Sequence, residues 1–300
     1  MEPLHQSAGT QTRWLKSWRR YGLAYSFILP TVIVLCFFLF FPIVSGLIMS
    51  LQATSTDGST RFVGLTNYLI LLRESRFLNN LLLSCIYILG NLVFSLPLAY
   101  LTALIISKKF RGTQFFQSAF LLPWIVAPVV SALLFRALVD PVTGPVAALI
   151  QQLFGNEILI LSDPVYAMMT IIIHGIWRSF PFMMLFLAAG MLAIPVEIYE
   201  AARVDGASAW HRFRNITLPL TKFQLAIVLV IITMWTLQDA ETIWAMTQGG
   251  PGYSTEVAAV RLLKEAFISF HLNTGAAIGF GLVFVGAIFM GIYLRLIRMK

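Results

Sequence analysis

The stretch from Ala193 to Thr221 reads AIPVEIYEAARVDGASAWHRFRNITLPLT. Ile194-Pro195 places a proline where a first helical turn tolerates it. Val196 to Val204 then suits a short helix. Asp205-Gly206 stops it, because glycine takes the left-handed conformation at a helix end without steric cost. Ala207 to Ile216 reads as a second short helix, amphipathic through Trp210, Phe213 and Ile216. Pro219 punctuates the approach to the next segment. The small residues Ala201, Ala202, Gly206 and Ala207 permit close backbone approach by a partner. Glu200, Arg203, Asp205 and Arg212 can pair across a polar interface. The same features fit a connector lying on a lipid surface, and local physics leaves both readings open.

On either side of this stretch the chain is strongly apolar. Of its 300 residues, 58% are hydrophobic and 11% charged, and mean hydropathy is +0.82. Soluble domains carry about 25% charged residues, so an ordinary soluble domain is excluded. A membrane-crossing helix needs about 20 apolar residues. Uncharged or nearly uncharged runs predict six spans, at about 27–50, 81–106, 112–135, 165–193, 223–246 and 275–294. They are too long and too evenly apolar for barrel strands, which alternate. The fourth is interrupted by Arg178, and the fifth contains Asp239 and Glu241.

The basic residues orient these spans. Fourteen Lys and Arg flank one side, in groups around Arg13–Arg20, Lys108–Arg111, Arg203–Lys222 and Arg295–Lys300, against six on the other. The formal charge of +8 is thus first a topology signal, placing both termini in the cytoplasm. Residues 1–22 form a cytoplasmic N-terminal segment, and 23–300 one membrane domain with an uncleaved first helix. Two substantial external loops follow, Asp57 to Asn80 and Asp140 to Pro164. The second is expected to include a helix from Val146 to Phe154.

Glu200-Ala201-Ala202, then Gly206, then Ile216, Leu218 and Pro219 resembles the EAA loop of ABC importer permeases. Trp177-Arg178-Ser179-Phe180-Pro181-Phe182, Thr247-Gln248-Gly249-Gly250-Pro251 and Leu122-Pro123-Trp124 are similar to segments of its carbohydrate branch, the maltose and glycerol-3-phosphate type. The resemblance covers nearly all of the chain. It implies an all-α, type I importer permease fold, with six transmembrane helices and a cytoplasmic coupling-helix loop over 194–221. It also implies a bacterial inner membrane location, a second permease subunit as a heterodimer partner, two ATP-binding subunits and a soluble substrate-binding protein that meets the external loops. ATP and Mg belong to those ATP-binding subunits. The chain has no G-x-x-x-x-G-K-S/T phosphate loop of its own, so the expectation is a non-enzymatic chain without a cofactor. In the resembled family the loop seats in a cleft of the ATPase. The resemblance gives that role to Glu200, Ala201, Ala202, Arg203, Asp205, Gly206 and Ala207, with Glu200 as a polar anchor and Gly206 as the turn.

Ionisable groups at membrane depth are costly and face a cavity or a partner. His174, Arg178, Asp239 and Glu241 are such groups. At steps of three or four, His174, Trp177, Arg178 and Pro181 share one side of the fourth span. Gln238, Asp239 and Thr242 share part of the fifth with Trp235. Pro181 offers a point for a kink or break. Carboxylates and amides suit sugar hydroxyls, and aromatic rings suit the apolar face of a sugar. Asp239, Glu241, Gln238, Trp177, Trp124 and Phe182 supply these types, so with Arg178 and His174 they form the expected substrate path. Arg178 also reads as a structural ion-pair partner of Asp239 or Glu241, and His174 as a packing residue. Two carboxylates favour a neutral oligosaccharide, disaccharide or polyol over a highly anionic ligand. Gly249-Gly250-Pro251-Gly252 reads as an external turn.

The competing classes find less support. A voltage-gated channel needs repeated arginines on one helix, and a secondary transporter shows repeated halves with broken helices. A membrane enzyme wants clustered His, Asp or Ser. Neither the histidines nor Cys36 and Cys85 have metal-ligand spacing. The cysteines read as small buried hydrophobes. No catalytic residue, metal site or nucleic-acid contact is expected.

Overall fold

The computed structural model describes residues 9–55, 57–108, 110–155 and 159–298. The start of the N-terminal segment, Lys109 and Lys300 of the basic clusters, and residues 156–158 of the second external loop lie outside the described residues. Four helices are long and apolar enough to cross a membrane: Ala24–Ser50, Ser75–Ile106, Pro164–Leu192 and Leu272–Arg295. Two bent pairs, Thr113–Ile125 with Pro128–Leu138 and Ala209–Leu220 with Lys222–Leu237, turn by 92° and 71°. Counting each bent pair as one gives up to six candidate spans among the described residues, numbered first to sixth in chain order. The second bend lies at Thr221, where the 194–221 loop meets Lys222–Leu237.

The bend in the third span and the early end of the fifth have local causes. In the third span Pro128 opens the second half, and Val126 and Ala127 before it are extended, at ψ 133° and 138°. A residue preceding proline is pushed out of the helical region. The fifth span ends at Leu237 rather than near Met246. Asp239 leaves the helical region at ψ 75° and begins a separate helix, Ala240–Thr247. Gln238, Asp239 and Thr242 therefore do not share a helical face with Trp235. The fourth span runs unbroken from Pro164 to Leu192 with Pro181 inside it, so the expected interruption there does not occur.

The second and fourth spans lie along each other at the centre, with the fifth packed on both and the sixth packed on the fifth and the first. In its most apolar window the fourth span is 61% buried, whereas the first is 0% buried. Polar and small residues concentrate where the burial is greatest. Tyr87, Ile88, Ile171, Met183, Leu187 and Ile232 form the core. The first span needs only apolar side chains all round, the signature of a lipid-facing helix. Cys36 accordingly is exposed and Cys85 half-buried, both free, which corrects their reading as buried hydrophobes.

At the end of the bundle away from the 194–221 loop, Gln52–Thr54 and Thr60–Phe62 pair as a short antiparallel hairpin. Strands of three residues are too short to show an alternating pattern in sequence. Helices follow at Thr66–Arg73 and Pro145–Phe154. A buried ion cluster ties this end together. The Glu256 side chain, fully enclosed, accepts from Arg76 at 2.9 Å and Lys264 at 2.7 Å. Burial pushes the Glu256 carboxyl up, but hydrogen bonds from Arg76, Lys264 and Asn80 outweigh it and hold the group below its ordinary value. Arg261 reaches Glu74 at 3.1 Å and Glu265 at 2.8 Å. The Gly249-Gly250-Pro251-Gly252 turn is fastened beside this cluster. Thr255 Oγ1 donates to the Gly250 carbonyl at 2.7 Å, and Gly249 sits at φ +85° against Glu256.

Candidate functional site

The second span carries Asn80, Ser84, Tyr87, Asn91 and Ser95, all buried. Steps of three and four place them on one helical face. Buried polar groups need partners, and this face finds them in the fourth span, the fifth span and the segment around Glu256. Ser84 accepts from the Ala258 amide at 2.9 Å. Ser179 Oγ donates to Asn91 Oδ1 at 2.8 Å, and Tyr87 OH to Asp239 Oδ2 at 2.8 Å. Gly175 allows the approach: a Cβ there would lie 2.9 Å from Asn91 Nδ2 and 3.1 Å from the Tyr87 ring.

Around these contacts lies a cavity of about 480 Å³. Tyr87 and Asn91 line it from the second span, Trp124 from the third, and His174, Arg178 and Ser179 from the fourth. Trp235 and Thr236 come from the end of the fifth, and Gln238, Asp239 and Glu241 from the break after it. The break explains why a carboxylate is tolerated here. Asp239 caps the Ala240–Thr247 helix, its Oδ1 accepting from the Thr242 amide at 3.2 Å, which satisfies a backbone donor left free at a helix start. Its other oxygen holds the Tyr87 hydroxyl. Non-helical backbone at membrane depth is stable where it lines a polar cavity.

Six of the expected path residues line this cavity: Asp239, Glu241, Gln238, Trp124, Arg178 and His174. Two do not. Trp177 packs on Phe135, centroids 5.3 Å apart. Phe182 lies beneath the lining, against Trp124 at 5.5 Å and Trp235 at 4.7 Å. Arg178 forms no ion pair among the described residues, and its buried Nε has no hydrogen-bond partner. The expected pairing with Asp239 is replaced by Tyr87 and the Thr242 amide. His174 is fully buried, its ring edge-on to Phe135. Ser131 Oγ donates to the Pro128 carbonyl at 2.8 Å, so it receives the Nε2–H of His174 at 2.9 Å. Nδ1 of His174 has no partner.

The second candidate site is the loop. Val196–Val204 is helical and ends at Gly206, φ +76°. The Gly206 amide donates to Arg203 O at 3.0 Å and the Ala207 amide to Ala202 O at 2.9 Å. These are the two bonds of a Schellman stop, which needs a left-handed residue between them. Ser208 then caps the next helix through the His211 amide at 3.2 Å, and the helix runs on through a π turn to Leu220. Glu200, Ala201, Arg203, Asp205 and Gly206 are exposed, whereas Ala202 and Ala207 are half-buried. Arg212, half-buried, donates to the Ala207 carbonyl. Tyr199 OH meets Thr217 Oγ1 at 3.0 Å. Tyr100 of the second span meets Thr221 Oγ1 at 3.2 Å and stands edge-on to Phe213 at 5.4 Å. The loop is thereby fastened to the helix that carries Tyr87 and Asn91.

Comparison with known proteins agrees with this architecture. The profile of the family described as "Binding-protein-dependent transport system inner membrane component" matches residues 63–299. A probable ABC transporter permease protein of Pyrococcus horikoshii is 35% identical over 84% of this chain and 87% of its own. The trehalose/maltose transport system permease protein MalF of Thermococcus litoralis is 32% identical over 79% of this chain and 81% of its own. In fold, the chain is similar to one from a bacterial ABC transporter involved in the import of the acidic polysaccharide alginate. That similarity has a TM-score of 0.83 at 23% identity, over 96% of this chain and 100% of the other.

Proposed function

The chain belongs to the family of inner membrane components of binding-protein-dependent transport systems, and from that premise we propose that it is one transmembrane half of an ATP-driven sugar importer. The substrate is an oligosaccharide, disaccharide or polyol handed over by a soluble binding protein at the end of the bundle that holds Glu256. The 194–221 loop faces the cytoplasm, as do both termini, and seats on one of two separate ATP-binding subunits. ATP and Mg reside there. The other transmembrane half is a related but distinct chain.

The observation that carries this reading is the polar cavity at the break after the fifth span. Asp239 and Glu241 supply acceptors for hydroxyls. Asn91 and Gln238 supply amides, and Trp124 and Trp235 supply ring faces. This combination suits a polyhydroxylated ligand and is otherwise expensive to keep within a membrane. On this reading the second span is the mechanical link. Tyr100, which holds the loop, lies 13 residues from Tyr87 on one helix, about 20 Å at 1.5 Å per residue. A push on Val196–Gly206 by closing ATPase subunits passes through Tyr199–Thr217 and Thr221–Tyr100 into that helix. It then tilts the wall that holds Tyr87, Asn91 and, by hydrogen bond, Asp239.

The test is purification of the chain from its native membrane in mild detergent, with identification of its companions by mass. A P-loop ATPase and a second permease are expected. Recovery of the chain alone at good yield would return the loop to a lipid-lying connector and refute the assignment.

A further inference from the structure

We propose that Arg178 anchors an anionic substituent of the transported sugar, a carboxylate, sulfonate or phosphate, so that the substrate is an acidic rather than a neutral carbohydrate. This rests on the reading of the cavity as the substrate path. Arg178 lies 14 residues from either end of the helix Pro164–Leu192. That is about 21 Å of helix on each side, the costliest depth for a cation. A structural arginine at such a depth is paired. This one forms no ion pair among the described residues, and its Nε, buried, has no partner at all.

The absence of a partner is not for want of acids. Asp239 and Glu241 line the same cavity. Asp239 is turned to the Tyr87 hydroxyl and the Thr242 amide instead, and Glu241 is exposed. The cavity thus lines a cation and carboxylates together with no ion pair between them among the described residues. A guanidinium has only N–H donors and matches planar or tetrahedral oxyanions bidentately. Carboxylates accept only, which suits hydroxyls. A sugar bearing one acidic group satisfies both kinds of group at once, and Trp124 and Trp235 offer it ring faces. A neutral sugar leaves the guanidinium uncompensated in a site of low dielectric. The acidic residues are acceptors for the same ligand's hydroxyls, and their presence does not argue against an anion held by Arg178.

The test uses the chain purified with the subunits it assembles with, in lipid nanodiscs, and two matched probes. Methyl β-D-glucuronoside and methyl β-D-glucoside differ only in a carboxylate against a hydroxymethyl group. Their affinities are compared by calorimetry. The glucuronoside is expected to bind about tenfold tighter or more, the scale of a charge-assisted contact, and its advantage should shrink as salt is raised. In Arg178→Gln the ratio of the two affinities should fall towards one, and Arg178→Lys should retain part of it. Equal binding of both probes by the unmodified complex overturns the proposal even if Arg178→Gln fails to assemble, and assigns the counter-charge to a neighbouring subunit. A preference that survives Arg178→Gln overturns it too. In both cases the sugar path stands. Binding of neither probe removes the sugar path itself, and this proposal with it.

Discussion

Replacing Gly206 separates two reasons for a glycine in the loop. Its φ of +76° closes the Val196–Val204 helix through the Arg203 and Ala202 carbonyls. Nothing lies within 4 Å of a Cβ built there, so a side chain meets no clash inside this chain. The whole intramolecular cost is therefore conformational. An L-residue in the left-handed region costs about 1–2 kcal/mol, more for a branched residue such as valine, whereas asparagine tolerates it. At about 1.4 kcal/mol per tenfold, Gly206→Val shifts the equilibrium between closed and open turn roughly tenfold towards the open form. Gly206→Asn leaves it nearly intact. The assay is sugar uptake per ATP hydrolysed by the reconstituted importer, alongside the amount of assembled complex. Gly206→Val should assemble in normal amounts and lose about tenfold in uptake per ATP, with Gly206→Asn within about twofold of the unmodified chain. Normal coupling in Gly206→Val would refute the loop's role. Equal loss in both variants would show that close approach by a partner, not the backbone conformation, demands the glycine.

Three other perturbations probe the remaining parts. Asp239→Asn keeps one oxygen for the Thr242 amide and turns its NH2 to the Tyr87 hydroxyl, which can accept, but removes the charge, so substrate-dependent uptake should fall while the complex still assembles. Unchanged uptake kinetics would take Asp239 off the path. Asp239→Ala also removes the helix cap, which costs about 0.5–2 kcal/mol and should lower the thermal midpoint of the complex relative to Asp239→Asn. Glu256→Gln leaves Arg76 and Lys264 facing a neutral amide. Breaking a buried pair costs about 3–5 kcal/mol; Arg76 and Lys264 keep some access to water, so about 2–3 kcal/mol is expected in unfolding measurements. Because the folded state holds the Glu256 carboxyl below its ordinary value, its contribution is complete above the ordinary carboxylate range. It is lost as pH falls through that range and below. Stability that falls equally in the unmodified chain and in Glu256→Gln on acidification would assign the loss to other groups.

The spans were legible because a long uncharged run has few alternatives in water or lipid. The bend in the third span and the end of the fifth were less so, although each had a local sign. Val126-Ala127-Pro128 carries the extension that precedes proline. Asp239, with Glu241 in the turn that follows, has the pattern of a helix start. Both were hidden by the assumption that an apolar run is one helix. In the loop, Val196–Val204 and its Gly206 stop coincide with the structure, since capping chemistry is local. Tyr87 and Asn91 were missed for a different reason. Neither is charged, so neither interrupts an apolar run. The sign that could have found them is the recurrence of Asn80, Ser84, Tyr87, Asn91 and Ser95 at helical spacing. Trp177 and Phe182 show the converse error, since residue type and helical face cannot tell a ring that lines a cavity from one that supports it.

The polar stripe on the second span also explains why cavity and loop belong to one device. A helix held only by apolar contacts in lipid slides or rotates at little cost, because tails and side chains are equally apolar. A helix that must keep Asn91 on Ser179 and Tyr87 on Asp239 at one level, and Tyr100 on Thr221 at another, is fixed in register at both. Displacement at the loop then cannot be absorbed by slippage. It either breaks a buried hydrogen bond or moves the cavity wall. The break after Leu237 gives the wall somewhere to go, since Gln238 and Asp239 are outside regular helix and can change their backbone angles without unwinding the fifth span. Asp239 is attached to the second span by a side chain and to the Ala240–Thr247 helix by its cap, so a tilt of the second span reaches the far side of the cavity through this one residue.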